Sequence, residues 1–229
     1  MSSLISDRSA HIRQRLTHIH ASLPSTVRLI AVTKRVSTEL MREAYTAGIR
    51  DFAESRIQEA ASKQAELQDL ADITWHLIGH LQTNKARKAL ELFSWIHSVD
   101  NLPLAQRLNI LAAELGVNPK VCLQVKILPD ANKSGWMVPE LLADLAALNQ
   151  CQNLQIQGLM TIPPQGLADA EILTVFNTTY ELAQTIQSQN WPNITMQQLS
   201  MGMSGDYQLA VQAGATMVRL GTILFGERA

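Results

Sequence analysis

The apolar positions of the chain fall into short, dense runs separated by longer stretches with helical spacing. The runs VRLIAVT (27–33), DFAE (51–54), TWHLIG (74–79), SWIHSV (94–99), KVCLQVKI (120–127), LQIQGLM (154–160), MQQLSM (196–201) and ATMVRLG (215–221) each predict a strand. Between them TELMREAYTAG (38–48), RIQEAASKQAELQDL (56–70) and LPLAQRLNILAAELG (102–116) repeat apolar residues every three to four positions, as helices do. Helices of this length between strands serve as right-handed crossovers, so the strands are expected to be parallel and covered on their outer faces. Eight such units predict a closed α/β barrel of the (β/α)8, TIM-like kind. An open doubly wound sheet is the competing arrangement, and the exit of the first strand, VTKRVS, lacks the glycine-rich turn that a dinucleotide fold carries there.

The 229 residues, 46% of them hydrophobic, suit one large domain over 1–229, and no repeat or Ser/Gly-rich linker divides them. Lys and Arg total 19 against 20 Asp and Glu, with no long block of one sign, which argues against nucleic acid as a partner and for a small molecule. The N-terminus lacks the apolar core of a signal peptide and no stretch approaches the length of a membrane span, so a cytoplasmic protein without membrane contact is expected. Cys122 and Cys151 stand in apolar segments without metal-ligand spacing and read as buried small hydrophobes.

In a parallel barrel the residues that close each strand face a common mouth, where Lys34, Glu54, Gly79, His80, Met160, Ser200 and Arg219 would converge. Lys34 follows LIAVT, a run expected to be buried, and desolvation lowers a lysine pKa enough to make its amine a nucleophile for carbonyls. A lysine that merely snorkels to solvent is the bland reading of the same position. Two late segments change the balance: SMGMSGD sets Ser200, Gly202, Met203, Ser204 and Gly205 after the seventh strand, and Gly221 and Thr222 follow the eighth. In barrels these two loops often form a phosphate site. Arg219, always charged, can donate to a ring nitrogen, unless a neighbouring carboxylate claims it.

His76 and His80 lie four apart but span a strand-to-loop break, so no helical metal pair is expected; His76 reads as a satisfied strand histidine and His80 as a residue of the mouth. Lys85, Arg87 and Lys88 read as a solvated helix face, with steering of anions as the alternative, and His11, His18 and His20 as surface residues of an N-terminal helix.

The motifs AVTK (31–34), FAESRIQE (52–59), WHLIGHLQTNK (75–85), GLMTI (158–162), SMGMSGD (200–206) and RLGTILFG (219–226) together resemble a family of pyridoxal 5'-phosphate (PLP)-binding proteins concerned with PLP homeostasis, related to the barrel half of alanine racemases. The resemblance spans nearly the whole chain. It implies PLP as cofactor, in Schiff-base linkage to Lys34, with Ser200, Gly202, Met203, Gly221 and Thr222 at the phosphate, Arg219 at the pyridine nitrogen, and Met160 and Ser55 nearby. FAES replaces the family's usual FGEN, so Ala53 and Ser55 depart from the pattern, as does KILPDANKSGW (126–136) before its end. The resemblance further implies a monomer that buffers or delivers PLP to recipient enzymes without robust catalysis, since the second domain and opposing tyrosine of a racemase have no counterpart in the sequence. An amino-acid racemase or related α-carbon enzyme is the alternative, and an aldolase acting on a phosphorylated sugar is a third reading of the same lysine and loops.

Overall fold

The computed structural model describes residues 2–226, with side chains from Ile12 onward. Its strands are β1 (Arg28–Val32), β2 (Asp51–Glu54), β3 (Thr74–Leu77), β4 (Trp95–Val99), β5 (Lys120–Lys126), β6 (Trp136–Met137), β7 (Gln155–Met160), β8 (Ile194–Ser200) and β9 (Met217–Leu220). The helices are α1 (Ser2–Ser22), α2 (Thr38–Thr46), α3 (Ile57–Glu66), α4 (Ala86–Leu92), α5 (Leu102–Leu115), α6 (Val138–Leu148), α7 (Asp169–Ser188), α8 (Tyr207–Gln212) and the single turn α9 (Thr222–Phe225). All described pairings are parallel: β1 joins β2 and β9, and the series continues β2-β3-β4-β5-β7-β8-β9, which closes a barrel of eight strands. Each expected strand is present, and the open sheet is excluded by the β4–β5 and β1–β9 pairings together. The short β6 was not foreseen; it adds two residues beside Val125 and Lys126 at the end of β5.

Strand alternation sorts the core into two layers. Leu29 and Ala31 join Phe52, Leu123 and Leu159 in the large layer between barrel and helices, whereas Ile30, Val32, Ala53, Trp95, Cys122, Met160 and Met217 fill the barrel itself. The helices are cut to length by local chemistry. Asn101 caps α5 by accepting the Leu104 amide, Pro103 sits in its first turn, and Gly116 ends it at φ 65, a left-handed conformation that glycine adopts without strain. Gly158 is required for a different reason: a Cβ there would overlap the Gln198 carbonyl where β7 and β8 approach across an irregular register. Both cysteines are buried and unbridged, as expected, and burial pushes the Cys122 thiol up to about 12. His11 lies outside the residues whose side chains are described.

Candidate functional site

The inward parity of Ile30 and Val32 carries on past the end of β1 to Lys34, which lines a cavity of about 300 Å³ at the C-terminal ends of the strands. The run before it is buried, but Lys34 itself is exposed, contrary to the expectation of a desolvated amine. β1 ends at Val32, and Arg35 turns the chain at φ 60, with its amide donating to Glu59 Oε1 at 2.6 Å. The same parity argument corrects Glu54. Ala53 points into the barrel, so Glu54 points away from the mouth, beneath α3, where Oε1 accepts from Thr33 Oγ1 (2.6 Å) and Lys63 Nζ (2.8 Å). Its Oε2 has no hydrogen-bond partner, and burial raises its pKa against the pull of Lys63. Ser55 returns to the mouth and lines the cavity beside Lys34. Gly79 permits this, because any side chain there would run into the Ser55 carbonyl.

On the adjoining strand β9, level with Ile30 of β1, Arg219 is almost wholly buried yet lines the same cavity. Nη1 donates to the Ser200 carbonyl (2.5 Å) and hydroxyl (2.7 Å), and Nη2 to the Thr161 carbonyl (3.0 Å). These acceptors are neutral oxygens, so the alternative of direct pairing with a carboxylate does not hold. Burial lowers its pKa to about 10, which leaves it a cation at neutral pH.

The loop after β8 and the turn after β9 meet at the cavity and line it with Met203, Ser204, Gly205, Gly221 and Thr222. Ser204 Oγ accepts long hydrogen bonds, 3.3 Å each, from the amides of Gly221 and Ile223. Gly202 adopts φ +93 behind the loop, where a Cβ would strike Ala210. Ser200 lies one layer below the cavity wall, its hydroxyl held by Arg219 and His97, and Met160 lies in the interior cluster with Ile78 and Ile162 above it. Of the two serines in this segment, Ser204 is the one that lines the cavity. Its signal in the sequence was the Gly-Met-Ser-Gly spacing, which does not say which of two serines faces outward.

Several other expectations resolve plainly. His76 is buried and bonded at both ring nitrogens. His80 does not line the cavity; it is exposed, with Nδ1 2.9 Å from Asp100 Oδ2. Arg87 and Lys88 pair with Glu114 and Glu91 on the surface. The three tyrosines are all away from the cavity lining, Tyr45 bonded to Asp72, Tyr207 to Ser22, and Tyr180 exposed on α7. Among the described residues no group of three or more His, Cys, Asp or Glu is placed to hold a metal, and no helix is long and apolar enough to cross a membrane. A larger cavity, about 610 Å³, opens at the opposite end of the barrel among Arg28, Asp51, Trp95 and Lys120. It has no glycine-and-hydroxyl loop.

Comparison with known proteins defines first a class. The family model for the N-terminal domain of alanine racemase matches residues 8–229. A solved alanine racemase of Clostridium difficile 630 shares the fold at TM-score 0.74 over 95% of this chain and 60% of that one, at 16% identity. A curated relative from Synechocystis sp., named pyridoxal phosphate homeostasis protein, is 53% identical over 93% of this chain and 96% of its own length. The structure of PipY from Synechococcus elongatus PCC7942, solved with PLP bound, is 53% identical and superposes with TM-score 0.90 over 94% of this chain and all of that one. The chain belongs to the family of pyridoxal phosphate homeostasis proteins, built on the alanine racemase N-terminal domain.

Proposed function

We propose that this chain binds PLP at the C-terminal mouth of the barrel and serves to hold and hand over the cofactor. The observation that carries the reading is the placement of Lys34, Arg219 and the 203–205 and 221–222 loops around one cavity. The residues present fit the group: a primary amine at the rim, a buried cationic donor in the wall, and hydroxyls and backbone N–H groups clustered in the loops that line the same cavity. When bound, PLP supplies an aldehyde that captures a primary amine as a Schiff base. In this proposal Lys34 is that amine, Ser204, Gly221 and Thr222 with the backbone at Gly202 and Met203 hold the phosphate, and Ser55 flanks the site. Met160 supports its floor, and Ser200 acts through Arg219.

Two features support binding without robust turnover. Arg219 can only donate hydrogen bonds, so facing a ring nitrogen it would leave that nitrogen without a proton and the ring a weaker electron sink. No tyrosine lines the cavity to serve as a second acid or base opposite Lys34. We further propose that residues 1–229 form one domain acting in the cytoplasm as a monomer, with PLP-requiring enzymes as recipients. The test is borohydride reduction of PLP-loaded protein followed by peptide mapping. A phosphopyridoxyl mark on Lys34 is expected; a mark elsewhere, or none, contradicts the assignment.

A further inference from the structure

A line of buried polar side chains runs through the barrel from the mouth to its other end. Arg219 Nη1 lies 2.7 Å from Ser200 Oγ, and Ser200 Oγ 2.7 Å from His97 Nδ1. His97 Nε2 lies 2.9 Å from His76 Nδ1, and His76 Nε2 2.9 Å from Asp51 Oδ1. Ser200, His76 and His97 are completely buried, while Asp51 reaches the far cavity, 3.7 Å from Arg28.

The two ends fix every proton between them. A guanidinium only donates, so Ser200 Oγ accepts from Arg219 and turns its own hydrogen to His97 Nδ1. His97 Nδ1 is then bare, and its Nε2–H donates to His76 Nδ1. His76 in turn keeps its proton on Nε2 and donates it to Asp51, whose carboxylate only accepts. Each link in the line then joins one donor to one acceptor, and reversing any of them sets two donors or two acceptors face to face. Burial holds both rings below the usual histidine range, which agrees with neutral imidazoles. Arg28 and Lys120 beside the Trp95 ring disfavour further positive charge at that end.

We propose that Asp51, His76, His97 and Ser200 form a one-way hydrogen-bond relay that connects the buried Arg219 cation to a carboxylate at the opposite end of the barrel and so positions its guanidinium at the mouth. Direct contact with a carboxylate would turn the guanidinium away from the cavity and neutralise it there. A chain of polarised hydrogen bonds supports the charge from a distance and leaves the outer face directed at the site. Asp51, His76, His97 and Ser200 are positioning residues in this account, and their effect on PLP rests on the functional reading above.

The test uses full-length protein labelled with ¹⁵N at histidine. Long-range nitrogen–proton correlations at neutral pH are expected to show both rings neutral and protonated on Nε2. An Nδ1–H tautomer or an imidazolium at either position overturns the relay. PLP titrations of Asp51→Leu and Asp51→Asn then read the link to the mouth. The leucine removes the terminal acceptor and is expected to weaken PLP binding about fivefold and to disturb the His97 signals. The asparagine presents its amide oxygen to His76 and is expected to restore both. Equal PLP affinity in wild type, Asp51→Leu and Asp51→Asn overturns the positioning role. Failure of wild-type protein to take up PLP sinks the cofactor reading instead, and the tautomers then decide the relay by themselves.

Discussion

Lys34 and Lys63 occupy neighbouring parts of the barrel and have opposite surroundings. Lys63, in α3, is buried and donates to Glu54 Oε1 (2.8 Å), Glu59 Oε1 (2.7 Å) and the Thr33 carbonyl (2.7 Å). Lys34, one residue beyond that carbonyl, stands exposed on the rim of the cavity. The buried lysine is therefore engaged in fixing the peptide that delivers the exposed one. Burial alone does not single out a ligand-facing lysine; one enclosed by two carboxylates has its hydrogen bonds engaged and no path to a ligand, whereas one at a cavity rim does.

The comparison breaks most visibly at Lys63. Lys63→Met leaves Glu54 buried without its cation, and a loss of about 3 to 5 kcal/mol is expected by urea unfolding. Replacing both partners, as Glu54→Leu with Lys63→Met, should recover most of it, because two apolar groups leave no stranded charge. Gly79→Ala comes next: the added methyl meets the Ser55 carbonyl at the cavity wall, and about 2 kcal/mol is expected, together with weaker PLP binding.

Acid acts on the buried histidines of the interior. His76 and His97 have folded pKa values below the ordinary 6.5, so the unfolded chain binds more protons in that window. Their contribution is complete above about pH 6.5 and is lost as pH falls through the folded values, at up to about 1.4 kcal/mol per pH unit for each ring. Glu54, raised above 4.5, has the opposite sign: its contribution is complete below 4.5 and lost as pH rises through its folded value. Unfolding curves between pH 7.5 and 5.5 should therefore be steeper for wild type than for His97→Asn. The smallest effect on folding is expected at Lys34, where Lys34→Ala should change stability by less than about 0.5 kcal/mol.

The eight barrel strands were legible because strands covered on both faces read as near-continuous apolar runs. The convergence of Lys34, Arg219 and the Gly221–Thr222 turn on one cavity was legible because the strand ends of a parallel barrel face a common mouth. The two-residue β6 was not, because its pairing depends on a loop folding back along β5 and leaves no periodic trace. Nor were the contacts of Lys63, which reads as one more polar position on an amphipathic helix. The line from Arg219 to Asp51 was hidden for a similar reason: His97 and Ser200 are 103 residues apart and meet only when the barrel closes. Ser55 shows what alternation does tell. Its parity with Ala53 returns it to the mouth even though the segment departs from the family pattern.

The most direct test of the central claim measures covalent PLP incorporation, after borohydride, in Lys34→Ala and Lys63→Met side by side at a temperature where both are folded. The account predicts near-stoichiometric labelling of Lys63→Met, as in wild type, and loss of site-specific labelling in Lys34→Ala. Retained stoichiometric labelling in Lys34→Ala, or its loss in Lys63→Met with the mark mapped to Lys63 in wild type, would contradict it.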